Sequence, residues 1–418
     1  PSDLAYSLLY ALQAQTKALN PTEGIAMTQV LQVVGSPSLG GAERFFARLV
    51  NGLYEQGTEV AAVMRPHSGI AEQIDPGVRH LYLPMRNMFD HYSRWRISSL
   101  ISDLKPSVVQ TYMGRATWLT RLSERKGLVH VARLGGFYNP KRYRHAHYWV
   151  ANTTAICDYL RQHGFPPDRI RLIPNFVEAA APLEPDETVQ ERRKIGIPED
   201  ALVVMAAGRM IEKKGFQDLL LAFAGLPKTI NGRPLYLQIL GIGADFTKLR
   251  TLAMQLGVQQ RIRWAGWRAD LGPYYSAADA LVCPSRHEPF GNVLLEAWSY
   301  GVPVVCTDTH AARELIKHGE NGIVVPVRSP KAIAGSLLSL LGEESAASSQ
   351  LIKGGRETLR VRFGKDQVIA SYQSLYEELA ICGASRVSRR HKAICSTSAT
   401  RNESPRRALG YESGAIAT

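Results

Sequence analysis

The sequence has no apolar run long enough to cross a membrane as a helix. Such a helix needs about 20 consecutive apolar residues, and no stretch of the chain approaches this length. The N-terminal segment PSDLAYSLLYALQAQ contains a short apolar run, but no basic residue precedes it. A secretory signal is therefore not expected, and we expect a cytoplasmic protein.

Cysteines are few and widely separated. There are five, an odd number, and no two of them form a C-x-x-C pair. This spacing indicates neither a zinc site nor a disulfide framework. Reduced thiols are typical of the cytoplasm.

Acidic residues are outnumbered, which leaves a formal net charge of +13. The excess is uneven, because nine Lys or Arg stand against Glu124 alone between Lys105 and Arg144. A second basic segment begins near Ala384. Such patches attract nucleic acid, a phospholipid surface or a phosphorylated acceptor, or they remain a solvated face without a partner. No RNA- or DNA-binding motif accompanies them, so we expect no nucleic-acid partner.

The length and composition suit two globular domains. A chain of 418 residues exceeds one average domain, and 45% hydrophobic with 21% charged residues excludes a disordered chain. Strand-like segments in the first half are TQVLQVV (28–34), EVAAVM (59–64), SVVQT (107–111), LVHVA (128–132) and YWVAN (148–152). Those in the second half are ALVVMAAG (201–208), LYLQILG (235–241), RIRWAG (261–266), ALVCPS (280–285), PVVCT (303–307) and GIVVPV (322–327).

Helical segments separate these strands, and the alternation predicts an α/β fold. We expect two tandem Rossmann-like, doubly wound parallel-sheet domains that face a cleft. The predicted parts are an N-terminal extension (1–26), an N-terminal domain (27–178), a C-terminal domain that includes the final helices (179–382) and a basic, disordered tail (383–418). Dehydrogenases, periplasmic binding proteins and sugar transferases all fit this plan.

The segment SRHEPFGNVLLEAWSYGVPVV (285–305) has the most specific pattern. A buried strand ends before a turn that contains Glu288, and Glu296 lies one turn inside the helix that follows. Gly291 and the helix start allow a ligand to approach backbone N–H groups closely. Carboxylates accept hydrogen bonds from hydroxyls, so this segment suits a polyhydroxylated ligand with an anionic part. The structural alternative is a capped helix with surface glutamates.

Two further turns follow the first strand of each half. In AAGRMIEKKGFQDLL (206–220), Arg209 and Lys214 precede a helix, and two cations so placed predict a diphosphate site. In SPSLGGAER (36–44), Gly40 and Gly41 precede a helix and would admit a phosphate or sugar, although most such turns are only turns. The segment GIGADFTKL (241–249) lacks the full G-x-G-x-x-G fingerprint of dinucleotide binding.

Together these segments resemble a known family. GGAER, IPNFVE, GRMIEKKGF, LGIGAD, AGW, EPFGNVLLEA and GVPVV stand in the order and spacing of glycosyltransferase family 4, the retaining group 1 glycosyltransferases. The resemblance spans Met27 to Tyr376, and the two glutamates separated by seven residues are its most specific part. It implies the GT-B fold and the transfer of a sugar from a nucleotide-sugar donor, with a UDP-sugar favoured. It also implies that no metal and no cofactor is needed.

The resemblance carries roles over to particular residues. Arg209 and Lys214 would bind the donor diphosphate, Glu296 the ribose hydroxyls and Glu288 the transferred sugar. The remaining donor contacts would be the backbone N–H groups of Phe290, Gly291 and Asn292 at the sugar, the loop at Gly266 and Trp267 beside the base, and Gly40 and Gly41 from the other domain. Since the configuration is retained, the leaving diphosphate can take the acceptor proton, and no carboxylate need act as a nucleophile.

One departure concerns the acceptor side. Many relatives carry a histidine after the fifth strand of the first domain, where this chain reads RLGGFY with Gly135 and Gly136. His145, His147 or His287 are candidate substitutes, although a lone histidine is more often structural. The missing histidine also favours the alternative of a non-catalytic nucleotide-sugar-binding or regulatory protein.

The resemblance implies a glycan or lipid-linked acceptor of the lipopolysaccharide or cell-envelope type. In FYNPKRYRHAHYW (137–149), aromatic and basic residues alternate within the acceptor-side domain. Aromatic rings and Lys or Arg favour an anionic membrane surface, so we expect a peripheral protein on the cytoplasmic face. The alternative is that these side chains line a cleft for a soluble acceptor.

Overall fold

The protein is described by a computed structural model that covers residues 30–122, 128–342 and 346–398. The predicted extension (1–26) and the last part of the predicted tail (399–418) lie outside these described residues. Within them the chain forms two α/β halves, each built on a parallel sheet, which confirms the predicted fold class. No helix among the described residues is long and apolar enough to cross a membrane.

The first sheet belongs to the N-terminal domain. Its strands are β1 (Val30–Val34), β2 (Val60–Met64), β3 (Arg79–Tyr82), β4 (Val108–Tyr112), β5 (Val129–Leu134), β6 (Tyr148–Ala151) and β7 (Ile170–Leu172). They are parallel and lie in the order β3-β2-β1-β4-β5-β6-β7. The chain winds outward from β1 in one direction and from β4 in the other. The turn after β1, which contains Gly40 and Gly41, is therefore at the switch point of this sheet.

Helices cover both faces of the first sheet. They are α1 (Gly41–Glu55), α2 (His91–Leu104), α3 (Met113–Leu119) and α4 (Thr154–Gln162). Because side chains alternate along a strand, Val30 and Val34 of β1 pack on the face of α1, and Leu31 and Val33 pack on the face of α2 and α3. Burial on both faces explains why the central strands are continuous apolar runs.

The second sheet belongs to the C-terminal domain. Its strands are β8 (Leu202–Ala207), β9 (Thr229–Ile230), β10 (Arg233–Leu240), β11 (Ile262–Gly266), β12 (Ala280–Cys283), β13 (Val304–Thr307) and β14 (Ile323–Val325). The order is β11-β10-β8-β12-β13-β14, all parallel, and the short β9 pairs antiparallel with β10. The helices are α5 (Pro185–Lys194), α6 (Phe216–Ala224), α7 (Phe246–Gln255), α8 (Gly272–Ser276), α9 (Asn292–Ser299), α10 (His310–Leu315), α11 (Pro330–Gly342) and α12 (Ala346–Arg362). The boundary predicted at residue 178 falls between β7 and α5.

The last helix, α13 (Lys365–Ser398), returns to the N-terminal domain. Its side chains Val368, Ile369, Tyr372, Leu375, Tyr376 and Leu379 are buried in the core that β1, β2 and α1 form. The sequence prediction placed this helix in the C-terminal domain, and the structure corrects that placement. An apolar helix face shows that the helix packs, but not which of two similar cores receives it.

The same helix extends into the predicted tail. We expect the tail to begin at residue 383, and α13 continues to Ser398. Extending a helix that is already formed needs no new nucleus.

Side chains of the two domains meet across a cleft at the carboxyl ends of their strands. The contacts are Arg48 with Glu296 at 3.1 Å, Arg44 with the carbonyl of Arg268 at 2.7 Å, Asn292 with the carbonyl of Gly41 at 3.3 Å and the carboxylate of Glu314 with the backbone N–H of Thr154 at 3.0 Å. Ligands of doubly wound domains bind at this end of the sheet. The cleft is therefore the first place to look for a functional site.

Candidate functional site

Lys214 and Glu288 form an ion pair on the C-terminal wall of the cleft. Lys214 follows β8 and Glu288 follows β12, and these two strands are neighbours at the switch point of the second sheet. Glu288 is buried and also accepts a hydrogen bond from Ser285 Oγ at 3.2 Å. Burial by itself lowers the pKa of Lys214, but the charge of Glu288 outweighs it and the pKa is raised. The two side chains therefore hold each other in place at the cleft.

A close packing of two loops brings this pair together. Gly215 has a φ of 69°, and a Cβ at this position would lie 1.9 Å from the carbonyl oxygen of Pro284. Only glycine permits this approach. The backbone N–H groups of Arg286 and His287 donate to the carbonyl of Lys213 at 2.8 and 3.1 Å. The loops after β8 and β12 thus act as one unit.

Arg209 lies on the same loop as Lys214 but is exposed. Its positive charge acts to lower the pKa of Lys214, against the larger effect of Glu288. Among the described residues Arg209 forms no ion pair. The two predicted cations therefore differ. The ammonium group of Lys214 is paired with the carboxylate of Glu288, whereas the guanidinium group of Arg209 is open to an anion.

The turn between Glu288 and α9 has the geometry that the sequence predicts. Phe290 is buried against Phe363, with ring centroids 6.0 Å apart, and anchors the turn. Gly291 has a φ of 83° and precedes the first residue of α9. Asn292 begins the helix and donates through Nδ2 to the carbonyl of Gly41. The start of α9 therefore faces the other domain.

The glycine turn of the N-terminal domain lies opposite this helix. A Cβ on Gly41 would lie 3.2 Å from Nδ2 of Asn292, so a larger residue would crowd this side chain of the other domain. Gly40 stands just before α1, and its N–H donates to the carboxylate of Glu43 at 2.9 Å. This bond fixes the start of α1 at the cleft.

Glu296 lies one helical turn further along α9 and has two partners. Arg48 of α1 donates to Oε1 at 3.1 Å, and the hydroxyl of Tyr275 donates to Oε2 at 3.0 Å. A small cavity of about 120 Å³ adjoins these residues. We did not predict Arg48 or Tyr275 from the sequence. These two hydrogen bonds thus fix the carboxylate of Glu296 at the edge of a cavity between the domains.

The loop after β11 forms the far end of the same wall. Gly266 has a φ of 69°, and its carbonyl accepts a hydrogen bond from the N–H of Gly241 at 2.7 Å. Trp267 is 46% exposed, so its ring has a free surface for a flat ligand. Arg44 reaches this loop from α1. The predicted site residues of the C-terminal domain therefore lie along one wall of the cleft, with Arg209 and Trp267 in different loops of it.

Comparison with known proteins shows the family of the chain. The family model for group 1 glycosyl transferases matches residues 187–358, and the model for glycosyltransferase family 4 matches residues 39–181. The chain is 34% identical over 80% of its length to the lipopolysaccharide core biosynthesis glycosyltransferase LpsE of Rhizobium meliloti, of which it covers 95%. The chain belongs to the group 1 glycosyltransferases.

Two further relatives were found. The lipopolysaccharide core biosynthesis glycosyltransferase LpsD of Rhizobium meliloti is 29% identical over 81% of this chain and 95% of that protein. Among solved structures, Anabaena Alr3699/HepE in complex with UDP and glucose has a TM-score of 0.72 at 18% identity, and the match covers 84% of this chain and 99% of that one. The structural match confirms the GT-B fold.

The histidines that we considered as acceptor-side substitutes in this glycosyltransferase lie in different places. His145 is half-buried behind α3, where Nε2 contacts the carbonyls of Thr117 and Thr120. His147 receives a hydrogen bond at Nδ1 from the backbone N–H of His130. Both are therefore structural parts of the N-terminal domain.

His287 lies at the cleft. The segment after β5, with Gly135 and Gly136, leads to Phe137, whose ring centroid lies 5.8 Å from that of His287 and 4.8 Å from that of His310. Burial lowers the pKa of His287, and electrostatic repulsion from Lys213 and from His310 lowers it further. Of the three candidates, His287 is the one beside the glycosyltransferase cleft.

A buried polar network links the two domains of the glycosyltransferase and was not predicted. The guanidinium of Arg133, which is 2% exposed, donates to Asn175 Oδ1 and to the hydroxyl of Tyr372. Asn175 Nδ2 donates to Asn292 Oδ1 at 2.6 Å. The network therefore runs from α13 through the N-terminal core to the start of α9. Its members are scattered in sequence, and no local pattern marks them.

Proposed function

We propose that the protein transfers a sugar from a nucleotide diphosphate sugar, with a UDP-sugar favoured, to a glycan or lipid-linked acceptor. The observation that carries the proposal is the placement of Arg209, Lys214 and Glu288 at the switch point of the second sheet, with Glu296 one helix turn beyond. This order along one wall suits the order of parts in a nucleotide sugar. The Anabaena protein was solved with UDP and glucose.

In this proposal the donor diphosphate binds between Arg209 and Lys214. Arg209 is open to an anion, and Lys214 is held in place by Glu288. The ribose hydroxyls bind Glu296, and the base lies against the loop at Gly266 and Trp267. The backbone of Phe290, Gly291 and Asn292 and the turn at Gly40 and Gly41 bind the transferred sugar and the phosphates.

The proposed reaction retains the anomeric configuration. The bond between the sugar C1 and the diphosphate oxygen breaks, an acceptor oxygen bonds to C1 on the same face, and the acceptor proton goes to the leaving diphosphate. Glu288 is engaged by Lys214 and Ser285, which suits a positioning role rather than a nucleophilic one. Arg209 and Lys214 stabilise the charge that develops on the leaving group. No metal and no cofactor is part of the proposal.

The proposed acceptor belongs to lipopolysaccharide core or a related cell-envelope glycan. LpsE and LpsD of Rhizobium meliloti carry this function in their names. Such acceptors are lipid-linked, so we also propose that the protein is peripheral on the cytoplasmic membrane face. In 137–149 the rings of Tyr143 and Trp149 are buried, whereas Lys141, Arg142 and Arg144 are exposed, so this segment offers a membrane mainly its basic side chains.

Transfer from sugar-labelled UDP-, GDP- and ADP-sugars to truncated lipopolysaccharide core tests the proposal. We expect transfer from a UDP-sugar, product with the donor's anomeric configuration by NMR, and activity that survives EDTA. Lys214→Ala should abolish transfer, and Lys213→Ala, which changes an exposed cation on the same loop, should not. Nucleotide binding without any transfer or donor hydrolysis would instead favour the non-catalytic alternative.

A further inference from the structure

Three large aromatic side chains of the N-terminal domain are exposed together at the start of α2. Phe89, Tyr92 and Trp95 are 77%, 57% and 62% exposed. Tyr92 and Trp95 are almost one helical turn apart, with ring centroids separated by 6.2 Å. The opposite face of α2 is buried in the domain core, for example at Ile97 and Ile101. An exposed aromatic group of this kind marks an interaction surface.

Arginines stand between these aromatic residues. They are Arg86, Arg94 and Arg96, and the guanidinium of Arg96 lies 5.7 Å from the ring centroid of Trp95. Within residues 30–122, 128–342 and 346–398, none of the three forms an ion pair. We call these three aromatic and three basic residues the α2 surface. Asp90, at the start of α2, lies near Arg86, so the three arginines outnumber the one carboxylate at this end of the helix.

Further uncompensated arginines lie close by. Burial lowers the pKa of Arg121, and the positive charge of Arg94 adds to the effect. Burial also lowers the pKa of Arg115, and the positive charge of Arg65 adds to this effect. Neither Arg65, Arg115 nor Arg121 forms an ion pair with another described residue. Neighbouring positive charges that outnumber the carboxylates near them produce a positive potential that attracts anions.

The α2 surface is connected to the entrance of the cleft. The loop before α2 follows β3, so it lies at the carboxyl end of the sheet, as the cleft does. One side chain joins them, because Nη1 of Arg115 donates to the carbonyl of Met85 in that loop and to the carbonyl of Gly35 after β1, both at 3.1 Å. Gly35 begins the turn that leads to Gly41. A molecule held at the α2 surface would therefore be near the acceptor side of the cleft.

We propose that the α2 surface binds the protein to a membrane that contains anionic lipids. This inference rests on the proposed function and deepens it, since it names the surface that brings a lipid-linked acceptor to the cleft. Aromatic rings bind at the level of lipid headgroups, and arginines bind the lipid phosphates. A bilayer supplies many phosphates at adjustable positions, which suits several unpaired arginines. A protein partner would need a carboxylate at each of these positions.

Sedimentation of the full chain with lipid vesicles tests the surface. The probes are vesicles of phosphatidylcholine with and without phosphatidylglycerol, at low and high salt. We expect binding to the anionic vesicles that salt weakens. The triple variant Phe89→Ala, Tyr92→Ala and Trp95→Ala, and separately Arg86→Gln with Arg96→Gln, should each reduce the partition coefficient about tenfold or more. Because these side chains are exposed, apart from the half-buried Arg96, the melting temperature should change little.

Matched controls come from the C-terminal domain. Met254→Ala with Leu338→Ala removes exposed apolar side chains, and Lys228→Gln with Lys353→Gln removes exposed cations. Both control variants should bind vesicles as the unchanged protein does. Undiminished binding by the two α2 variants, or binding lost only in a Lys141→Gln, Arg142→Gln and Arg144→Gln variant, would overturn the proposal. So would α2 variants that bind vesicles normally but lose a protein partner.

Hydrolysis of the donor sugar in solution, without acceptor or lipid, separates this inference from the proposed function. The α2 variants should keep this activity, since none of their residues touches the donor wall of the cleft. If the unchanged protein bound anionic vesicles through α2 but neither bound nor hydrolysed any nucleotide sugar, the proposed function would fail and the membrane surface would stand. If the unchanged protein hydrolysed a nucleotide sugar but did not bind anionic vesicles through α2, the proposed function would stand and the proposed membrane surface would fail.

Discussion

Glu296 lies between two partners that act on it in different ways. Arg48 balances its charge from the other domain, and the hydroxyl of Tyr275 donates to its second oxygen. Burial raises the pKa of Tyr275 well above its ordinary value, and Glu296 adds to the effect. The tyrosine therefore stays protonated and remains a donor. Because an ionised carboxylate has about four acceptor sites, Glu296 has capacity left for hydroxyls of a ligand.

Replacement of this carboxylate should weaken nucleotide binding. A hydrogen bond to a charged group contributes about 1.5–3 kcal/mol, so Glu296→Ala should raise the dissociation constant for UDP about 10- to 100-fold. Titration calorimetry measures this directly. Glu72→Ala, at an exposed glutamate of the N-terminal domain, is the control and should leave the affinity unchanged. Equal affinities for both variants would mean that Glu296 does not bind the nucleotide.

Arg209 and Lys214 should differ when each is replaced. Lys214 is paired with Glu288, so Lys214→Ala also leaves a buried carboxylate without its partner. Arg209 is exposed and unpaired, so Arg209→Ala should reduce kcat about 10- to 100-fold with little change in melting temperature. Arg209→Lys should recover part of the rate, since a point charge does not reproduce a planar fork. Normal turnover by Arg209→Ala would place the diphosphate elsewhere.

The positions of these residues were predictable, but their partners were not. Arg209, Lys214 and Glu288 each follow a buried strand, and Glu296 lies in the first turns of the helix after β12, so the strand and helix pattern places all four at one edge of a sheet. Arg48 lies 248 residues from Glu296 in the chain. A contact of this kind depends on how two complete domains dock, and no local spacing records it.

The elements show the same distinction between local and long-range information. The central strands were predicted because they are buried on both faces and are therefore apolar throughout. The edge strand β3 was missed because its residues are partly or fully exposed and include Arg79 and His80. The final helix was predicted as a helix, yet its place in the N-terminal core depends on a tertiary contact.

That contact makes a specific prediction about α1 and α13. A Cβ on Gly52 would lie 2.6 Å from Cδ1 of Ile369, so the glycine makes room for the last helix. Gly52→Ala should therefore destabilise the protein, although alanine normally stabilises a helix by about 1 kcal/mol relative to glycine. Ile369→Ala alone should cost about 2–5 kcal/mol.

The double variant should be more stable than Ile369→Ala alone, because the new methyl group occupies the space that the isoleucine leaves. Denaturant unfolding of the four proteins in this cycle measures the coupling. Additive effects would show that α13 does not pack on α1 in solution. Gly335→Ala, where a Cβ meets no atom within 4 Å, controls for helix propensity alone.

In the whole molecule, the two domains are joined by more than the connection after β7. The last helix returns to the N-terminal core, and polar side chains meet across the cleft. Asn175 is the centre of one such path. Its Oδ1 accepts from Arg133, which can only donate, so its Nδ2 must face Asn292. The charge of Arg133 therefore sets the orientation of a bond that holds the domains together.

Asn175→Asp should separate folding from domain docking. The aspartate still accepts from Arg133 and also neutralises this buried cation, so the melting temperature should be maintained or rise. Its second oxygen would face Oδ1 of Asn292, and if Asn292 turned over to donate, it would lose its bond to the carbonyl of Gly41. Either way one contact across the cleft is lost. For Asn175→Asp we therefore expect a lower kcat without a loss of stability. Asn175→Ala removes the acceptor of a buried cation and should lower both kcat and stability. Steady-state transfer and thermal unfolding of the two variants distinguish these outcomes, and full activity of Asn175→Asp would show that the network serves stability alone.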